Sequence, residues 1–128
     1  MALKVVLKPG EQLYVGTSRI IVASDQYVTF IIEGGGPVLR ERDYLQPATV
    51  SSKADQVCLT LQTIYLTGRS AVLIDQYRAQ VQALLGETPV AAALVAEINA
   101  ALDGDHSYGA LKAARGLVKL EEGSVDPG

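Results

Sequence analysis

Cysteine is nearly absent from these 128 residues: Cys58 stands alone, so no internal disulfide can form. It falls in an apolar pattern of helical spacing, which reads as a buried, inert thiol rather than a nucleophile. Histidine is as scarce. His106 sits near a predicted helix start beside Asp103 and Asp105, but the spacing matches no usual metal site, and a capping and loop role is favoured. The only His and the only Cys lie in different predicted helices, so no Ser/His/Asp or Cys/His set can be assembled. Glu41 and Asp43 alternate with Arg40 and Arg42 and read as self-neutralising surface charge. The glycines Gly34 to Gly36 are followed by no lysine and no helix start at the offset of a phosphate loop. The expectation is a non-enzyme with no catalytic residues, no metal and no cofactor. No apolar run reaches membrane-spanning length and no secretory segment opens the sequence, so a cytoplasmic location without a membrane partner is expected.

A basic excess is missing too. The net charge is −3. Residues 1–50 carry five basic and five acidic side chains, whereas residues 51–128 carry six basic and nine acidic ones and hold the whole imbalance. A non-specific nucleic-acid binder normally shows the opposite balance. Any nucleic-acid binding by this chain must therefore be local and patch-like.

What is present is ordinary globular composition, 48% hydrophobic and 20% charged, with enough apolar material for a core. The chain turns on residues 34–45, Gly-Gly-Gly-Pro-Val-Leu-Arg-Glu-Arg-Asp-Tyr-Leu. Before this stretch the pattern alternates like sheet, and after it the pattern repeats like helix. Short strands are predicted over 2–7, 12–15, 19–23, 27–33 and 38–40, joined by tight turns at Pro9-Gly10, Gly16 and Ser24 to Gln26. Val28, Phe30 and Ile32 face one way and Tyr27, Thr29 and Ile31 the other. Both faces are apolar, which predicts a central strand. The glycine run is expected to make a hairpin-like reversal.

The second half predicts four helices. Ser52 to Asp55 resembles a capping box, with Val57, Cys58, Leu61, Ile64 and Tyr65 inward and Gly68 as the C-terminal stop. Ser70 opens a second helix with Leu73, Ile74, Tyr77, Val81, Leu84 and Leu85 inward, ended by Gly86. Thr88-Pro89 opens a third, with Val90, Leu94, Val95, Ile98 and Leu102 inward. Asp105 or Ser107 opens a fourth, with Tyr108, Leu111, Ala114 and Val118 inward. Short loops make neighbouring helices antiparallel. The fold class is therefore α+β: an antiparallel β module of about five strands, barrel- or sandwich-like, over 1–46, then a helical module over 47–120. A flexible tail is expected over 121–128.

Candidate binding residues are few. Lys4 alternates with Leu3 and Val5 and so points off the apolar face. Arg40 and Arg42, two apart, share one face if the last strand continues through both. Two readings of the pair stand, a solvated strand end and an anion-reading edge. Lys4, Lys8, Arg40 and Arg42 converge if the first and last strands lie together. Tyr14, Tyr27 and Tyr44 are read as packing side chains before base-stacking ones. A β module of about 45 residues is thin for a closed core, which predicts a homodimer through that module. The acidic helical surface is the candidate docking face for a protein partner, with Arg69, Arg78, Glu97, Lys112, Arg115 and Lys119 as positions to test.

Several stretches resemble a known family. Residues 1–11 (Met-Ala-Leu-Lys-Val-Val-Leu-Lys-Pro-Gly-Glu), 30–33 (Phe-Ile-Ile-Glu), 37–45 (Pro-Val-Leu-Arg-Glu-Arg-Asp-Tyr-Leu), 64–66 (Ile-Tyr-Leu) and 109–115 (Gly-Ala-Leu-Lys-Ala-Ala-Arg) look like the flagellin-regulating FlbT family. The resemblance implies a post-transcriptional regulator that binds the 5′ untranslated region of flagellin messenger RNA and promotes its decay. A weaker resemblance, over Glu11 to Gly16 and Val38 to Tyr44, is to the carbon-storage regulator CsrA family. It implies a strand-exchanged dimer that reads RNA with its first and last strands, the matching positions being Arg40 and, loosely, Lys4. Here a glycine run replaces that family's turn. The expected partners are thus a flagellin mRNA leader, a second copy of the chain, and another flagellar regulator or flagellin itself. The competing expectation is an interaction factor or chaperone-like adaptor in flagellum assembly that binds no RNA.

Overall fold

Short runs rich in Val, Ile and Leu, separated by turn residues, fill the first 40 positions, and the backbone is extended through most of them. The computed structural model describes residues 2–125. Five strands come first: β1 (Ala2–Leu7), β2 (Gln12–Val15), β3 (Ser18–Ile21), β4 (Val28–Glu33) and β5 (Val38–Arg40). Four helices follow: α1 (Lys53–Thr67), α2 (Ala71–Glu87), α3 (Ala92–Asp103) and α4 (Ser107–Val125). The chain is α+β, and it divides into two compact units, Met1–Tyr44 and Leu45–Gly128.

In the β unit the strands form two antiparallel sheets, one of order β1-β4 and one of order β3-β2-β5. Gly10 at φ 78° makes the turn after β1, where the Lys8 backbone N–H donates to Glu11 Oε1 at 3.0 Å. Val15 pairs with Ser18 across a two-residue turn whose first position is Gly16 at φ 58°, a conformation that glycine adopts without cost. Val5, Leu7, Leu13 and Val22 form the buried core, with Val15, Ile20, Val28, Phe30, Ile32 and Val38 half-buried around it.

Two expectations about this unit need correction. The glycine run is a crossover, not a hairpin: Gly34, at φ 105°, releases the chain from one sheet, and β5 then pairs with β2 in the other. β4 is not central, since it pairs with β1 alone among the described strands. Apolar residues on both faces of a strand call for cover on both faces, and that cover need not come from flanking strands.

The helical unit is built from capped helices. Ser52 Oγ accepts from the Asp55 N–H at 3.0 Å and opens α1, which Gly68 ends at φ 104°. Ser70 Oγ does the same for Leu73 at 3.2 Å. α2 runs one residue past Gly86, and Pro89–Ala91 forms a 3₁₀ turn before α3. That turn leaves Val90 exposed, contrary to the inward position expected of it. Tyr108 at the start of α4 is exposed as well. α1 packs on α2 and α4, and α4 on α3. The buried side chains include Ala54, Val57, Leu61, Ile64, Leu84, Ile98, Leu111, Ala114 and Leu117.

One buried polar residue that sequence patterning did not single out fixes the start of this unit. The Gln62 amide donates to the Leu45 carbonyl at 3.0 Å and accepts from the Leu45 N–H at 2.8 Å. Of the tail expected over 121–128, residues 121–125 continue α4, and the Glu121 carboxylate accepts from the Ala54 N–H at 3.3 Å. Residues 126–128 lie outside the described residues.

Candidate nucleic-acid interface

The basic residues of the β unit are placed by β1, β5 and the turns beside them. Lys4 lies mid-strand on β1, exposed and in register with Ile31, while Val5 next to it is buried. Lys8 is exposed just past the end of β1. Arg40 ends β5, and its guanidinium reaches β1: Nη2 donates to the Val6 carbonyl at 3.1 Å. Glu11 Oε2 lies 3.7 Å from the same nitrogen, and Arg40 Nε is buried without a hydrogen-bond partner. Val6 stands two residues from both Lys4 and Lys8, roughly 7 Å along an extended strand in each direction. Lys4, Lys8 and the head of Arg40 are thus strung along one strand, although β1 and β5 belong to different sheets.

Arg42 does not share a strand face with Arg40. β5 stops at Arg40, and Glu41–Asp43 form a 3₁₀ turn in which Arg42 is exposed. The period-two spacing fails because the backbone leaves the extended region one residue too early. Arg40 itself is the more committed of the two, since its fork holds the β1 backbone. Its partner lies 34 residues away in sequence, so no local signal could have revealed it.

The tyrosines divide in the same way. Tyr14 and Tyr44 stack on each other with ring centroids 3.6 Å apart and planes within 5°, and Tyr14 Oη donates to Gln12 Oε1 at 3.1 Å. Those rings are used inside the unit. Tyr27 is 71% exposed and stands just before β4.

In the helical unit Cys58 is buried and its thiol donates to the Ala114 carbonyl at 3.3 Å. Burial, reinforced by the nearby Asp55 carboxylate, pushes its pKa up to about 12, so a thiolate nucleophile is unavailable at neutral pH. His106 precedes α4, its N–H donating to the Ala101 carbonyl at 2.8 Å and its carbonyl accepting from Ala110 at 3.0 Å. Among the described residues no group of three or more His, Cys, Asp or Glu side chains is placed to hold a metal, and no described helix is long and apolar enough to cross a membrane.

A groove of about 370 Å³ runs between α2 and α3, lined by Arg69, Ile74, Tyr77, Arg78 and Asn99 among others. Arg69 donates to the Leu102 carbonyl at 2.6 Å, and Tyr77 Oη to Asn99 Oδ1 at 2.7 Å. Of the six helical positions chosen from sequence, Arg69 and Arg78 line this groove. Glu97, Lys112 and Lys119 are exposed elsewhere, and Arg115 is half-buried. Sequence reasoning missed Asn99 and Gln82, exposed polar residues of amphipathic helices that carry no signal setting them apart from their polar neighbours.

Comparison with known proteins gives a consistent picture. A family model described as flagellar protein FlbT matches residues 3–125. A Bradyrhizobium diazoefficiens protein named probable flagellum biosynthesis repressor protein FlbT 1 is 37% identical over 123 residues, covering 95% of this chain and 84% of the relative. A Rhodopseudomonas palustris protein with the corresponding repressor name is 35% identical over 123 residues, covering 95% and 96%. The Caulobacter vibrioides flagellum biosynthesis repressor protein FlbT is 26% identical over 125 residues, covering 95% and 88%. No solved structure matches.

Proposed function

The chain belongs to the FlbT family of flagellar proteins, and on that footing we propose that it is a repressor of flagellum biosynthesis acting on flagellin messenger RNA. The observation that carries the regulatory reading is the repressor name borne by relatives that align with 95% of the chain. The RNA step is our own extension. It is supported by exposed cations on a unit of neutral overall charge: Lys4 and Lys8 lie on and just past β1, Arg42 lies in the turn after β5, and Tyr27 is exposed before β4. Exposed cations bind phosphates, and an exposed tyrosine offers a stacking face. In this reading the chain binds the 5′ leader of a flagellin transcript in the cytoplasm and shortens its life.

The test is a gel-shift titration of the full chain against a flagellin leader, with a scrambled leader as control. Lys4→Ala and Arg42→Ala should each weaken leader binding and lower the salt slope by about one, as expected for a phosphate contact. Leader affinity that equals scrambled affinity, or that survives both substitutions together, removes RNA from the reading. The groove between α2 and α3 favours a second activity, docking of a flagellar protein, because it combines apolar walls with Arg69 and Arg78. An Arg78→Glu chain that binds leader RNA normally but no longer represses in cells would assign recruitment to that groove.

A further inference from the structure

Among the exposed apolar side chains of the β unit, Ile31 lies on β4, and Leu3 and Val6 lie on β1 beside it. The free side of β4 pairs with no other strand among the described residues. Its inward side chains Val28, Phe30 and Ile32 are only half-buried, and Ile31 on its outer face is 59% exposed. Its sequence, Val-Thr-Phe-Ile-Ile-Glu, holds no proline and no lysine, and its one charge comes at the end. Edges left in that state are templates for another strand. The edge of β1 differs. Lys4 sits mid-strand, and Arg40 occupies the Val6 carbonyl.

The Arg40 contact also fixes which backbone groups of β4 are free. A carbonyl that accepts from Arg40 points away from β4. Val6 is in register with Thr29, so Thr29, and with it Ile31, turn their N–H and C=O groups to the open edge.

We propose that a second copy of this chain pairs its β4 antiparallel against this β4, giving a two-fold sheet of order β1-β4-β4-β1. Identical strands satisfy a two-fold antiparallel pairing without any other complement. The antiparallel sense also sets the two Glu33 carboxylates at opposite ends, roughly 20 Å apart in a pairing centred on Phe30, where a parallel sense would set them side by side. Growth stops at the dimer, because both outer edges are then β1 edges held by Arg40. The dimer covers apolar surface that a β unit of strands in sheets of two and three leaves open at Phe30, Ile31 and Ile32. Lys4, in register with Ile31, then appears twice on one face. The inference stands on the β unit alone and does not depend on RNA binding.

Sedimentation of the full chain tests it. Wild type runs as a dimer. Ile31→Pro, which deletes an edge N–H without touching the β1–β4 ladder, and Ile31→Lys, which puts charge on the edge, both run as monomers with wild-type circular dichroism. Val72→Lys, at a still more exposed apolar site on α2, stays dimeric. A wild type that remains monomeric at tens of micromolar overturns the proposal, including the case in which β4 takes an extended peptide of another protein. Ile31 variants that remain dimeric overturn it too. Hydrogen exchange on the wild type needs no variant: Thr29 and Ile31 amides must exchange more slowly as concentration rises, and unprotected amides in a dimer place the interface elsewhere.

Discussion

The two units bury their apolar residues with unequal success. In the helical unit, helices α1 to α4 close over side chains such as Leu61, Ile64, Ile98 and Leu117, each exposed by 1% or less. In the smaller β unit Val5, Leu7, Leu13, Tyr14, Val22 and Leu39 are buried while Leu3, Val6, Ile21, Tyr27 and Ile31 stay exposed, against Val72, Val90 and Tyr108 in the larger helical unit. A helix satisfies its own backbone and needs cover on one stripe only. A strand needs a neighbour at each edge and cover on its apolar faces, and strands in sheets of two and three cannot supply all of these from within. The lesson is that the helices cover their apolar stripes largely from within, while the strands leave edges and apolar side chains uncovered.

Truncation of core residues should make the contrast largest. Leu61→Ala leaves a cavity in a closed core and should cost ~2–5 kcal/mol, read from denaturant midpoints. Phe30→Ala, at a half-buried site, should cost less than the ~3–5 kcal/mol usual for a buried Phe. Equal losses at the two sites would mean that the β core is closed and the contrast false.

Arg40 gives the next largest effect. Arg40→Ala removes the bond to Val6 and the ion pair with Glu11 and should lower stability by ~1–3 kcal/mol. Arg40→Lys should recover only part of that, since an ammonium cannot reproduce the planar fork. Arg42→Ala, at an exposed turn residue, should leave the denaturation midpoint in place. A destabilised Arg42 variant would erase the distinction between the arginine that holds the unit together and the one left free to bind.

Alkaline pH should strike the helical unit first. Burial pushes the pKa of Tyr77 from 10.0 up to about 12, helped by Asp103, and that of Cys58 from 9.0 up to about 12. Both groups hold their protons more tightly folded than unfolded. Their contribution is therefore fully present below pH 9 and is lost as pH rises through 12. Denaturant midpoints should fall across that window, and the fall should shrink in a Cys58→Ala, Tyr77→Phe double variant. Tyr77→Phe alone also loses the bond to Asn99 and should cost ~0.5–1.5 kcal/mol at neutral pH.

The smallest effect belongs to the surface. Lys53 and Glu87 lie 3.2 Å apart on exposed parts of α1 and α2. Lys53→Ala should cost ~0.5 kcal/mol or less, and salt should abolish the difference. A larger loss would show that the α1–α2 pair depends on charge more than on packing.

The sequence by itself determined the order and type of the elements, several of their boundaries, and most of the helical residues that turn inward. Ser52, Gly68 and Ser70 act within a turn of their own positions, so their signals are local. The period of apolar residues placed Val57, Leu61, Tyr77, Val81, Ile98 and Leu111 correctly in the core. The outward position of Lys4 on β1 was legible from strand alternation, and Lys8 from the turn that follows. Tertiary structure alone decided the rest. Strand pairing is a choice among distant partners of similar composition, so the crossover at Gly34 and the edge position of β4 were not written locally. Arg40 became a clasp because the turn after β5 and the approach of β1 brought a carbonyl to it. Gln62 became a clamp because folding brought Leu45 to its amide. In each case the deciding partner is remote in sequence, and a polar side chain carries no mark of which backbone group it will meet.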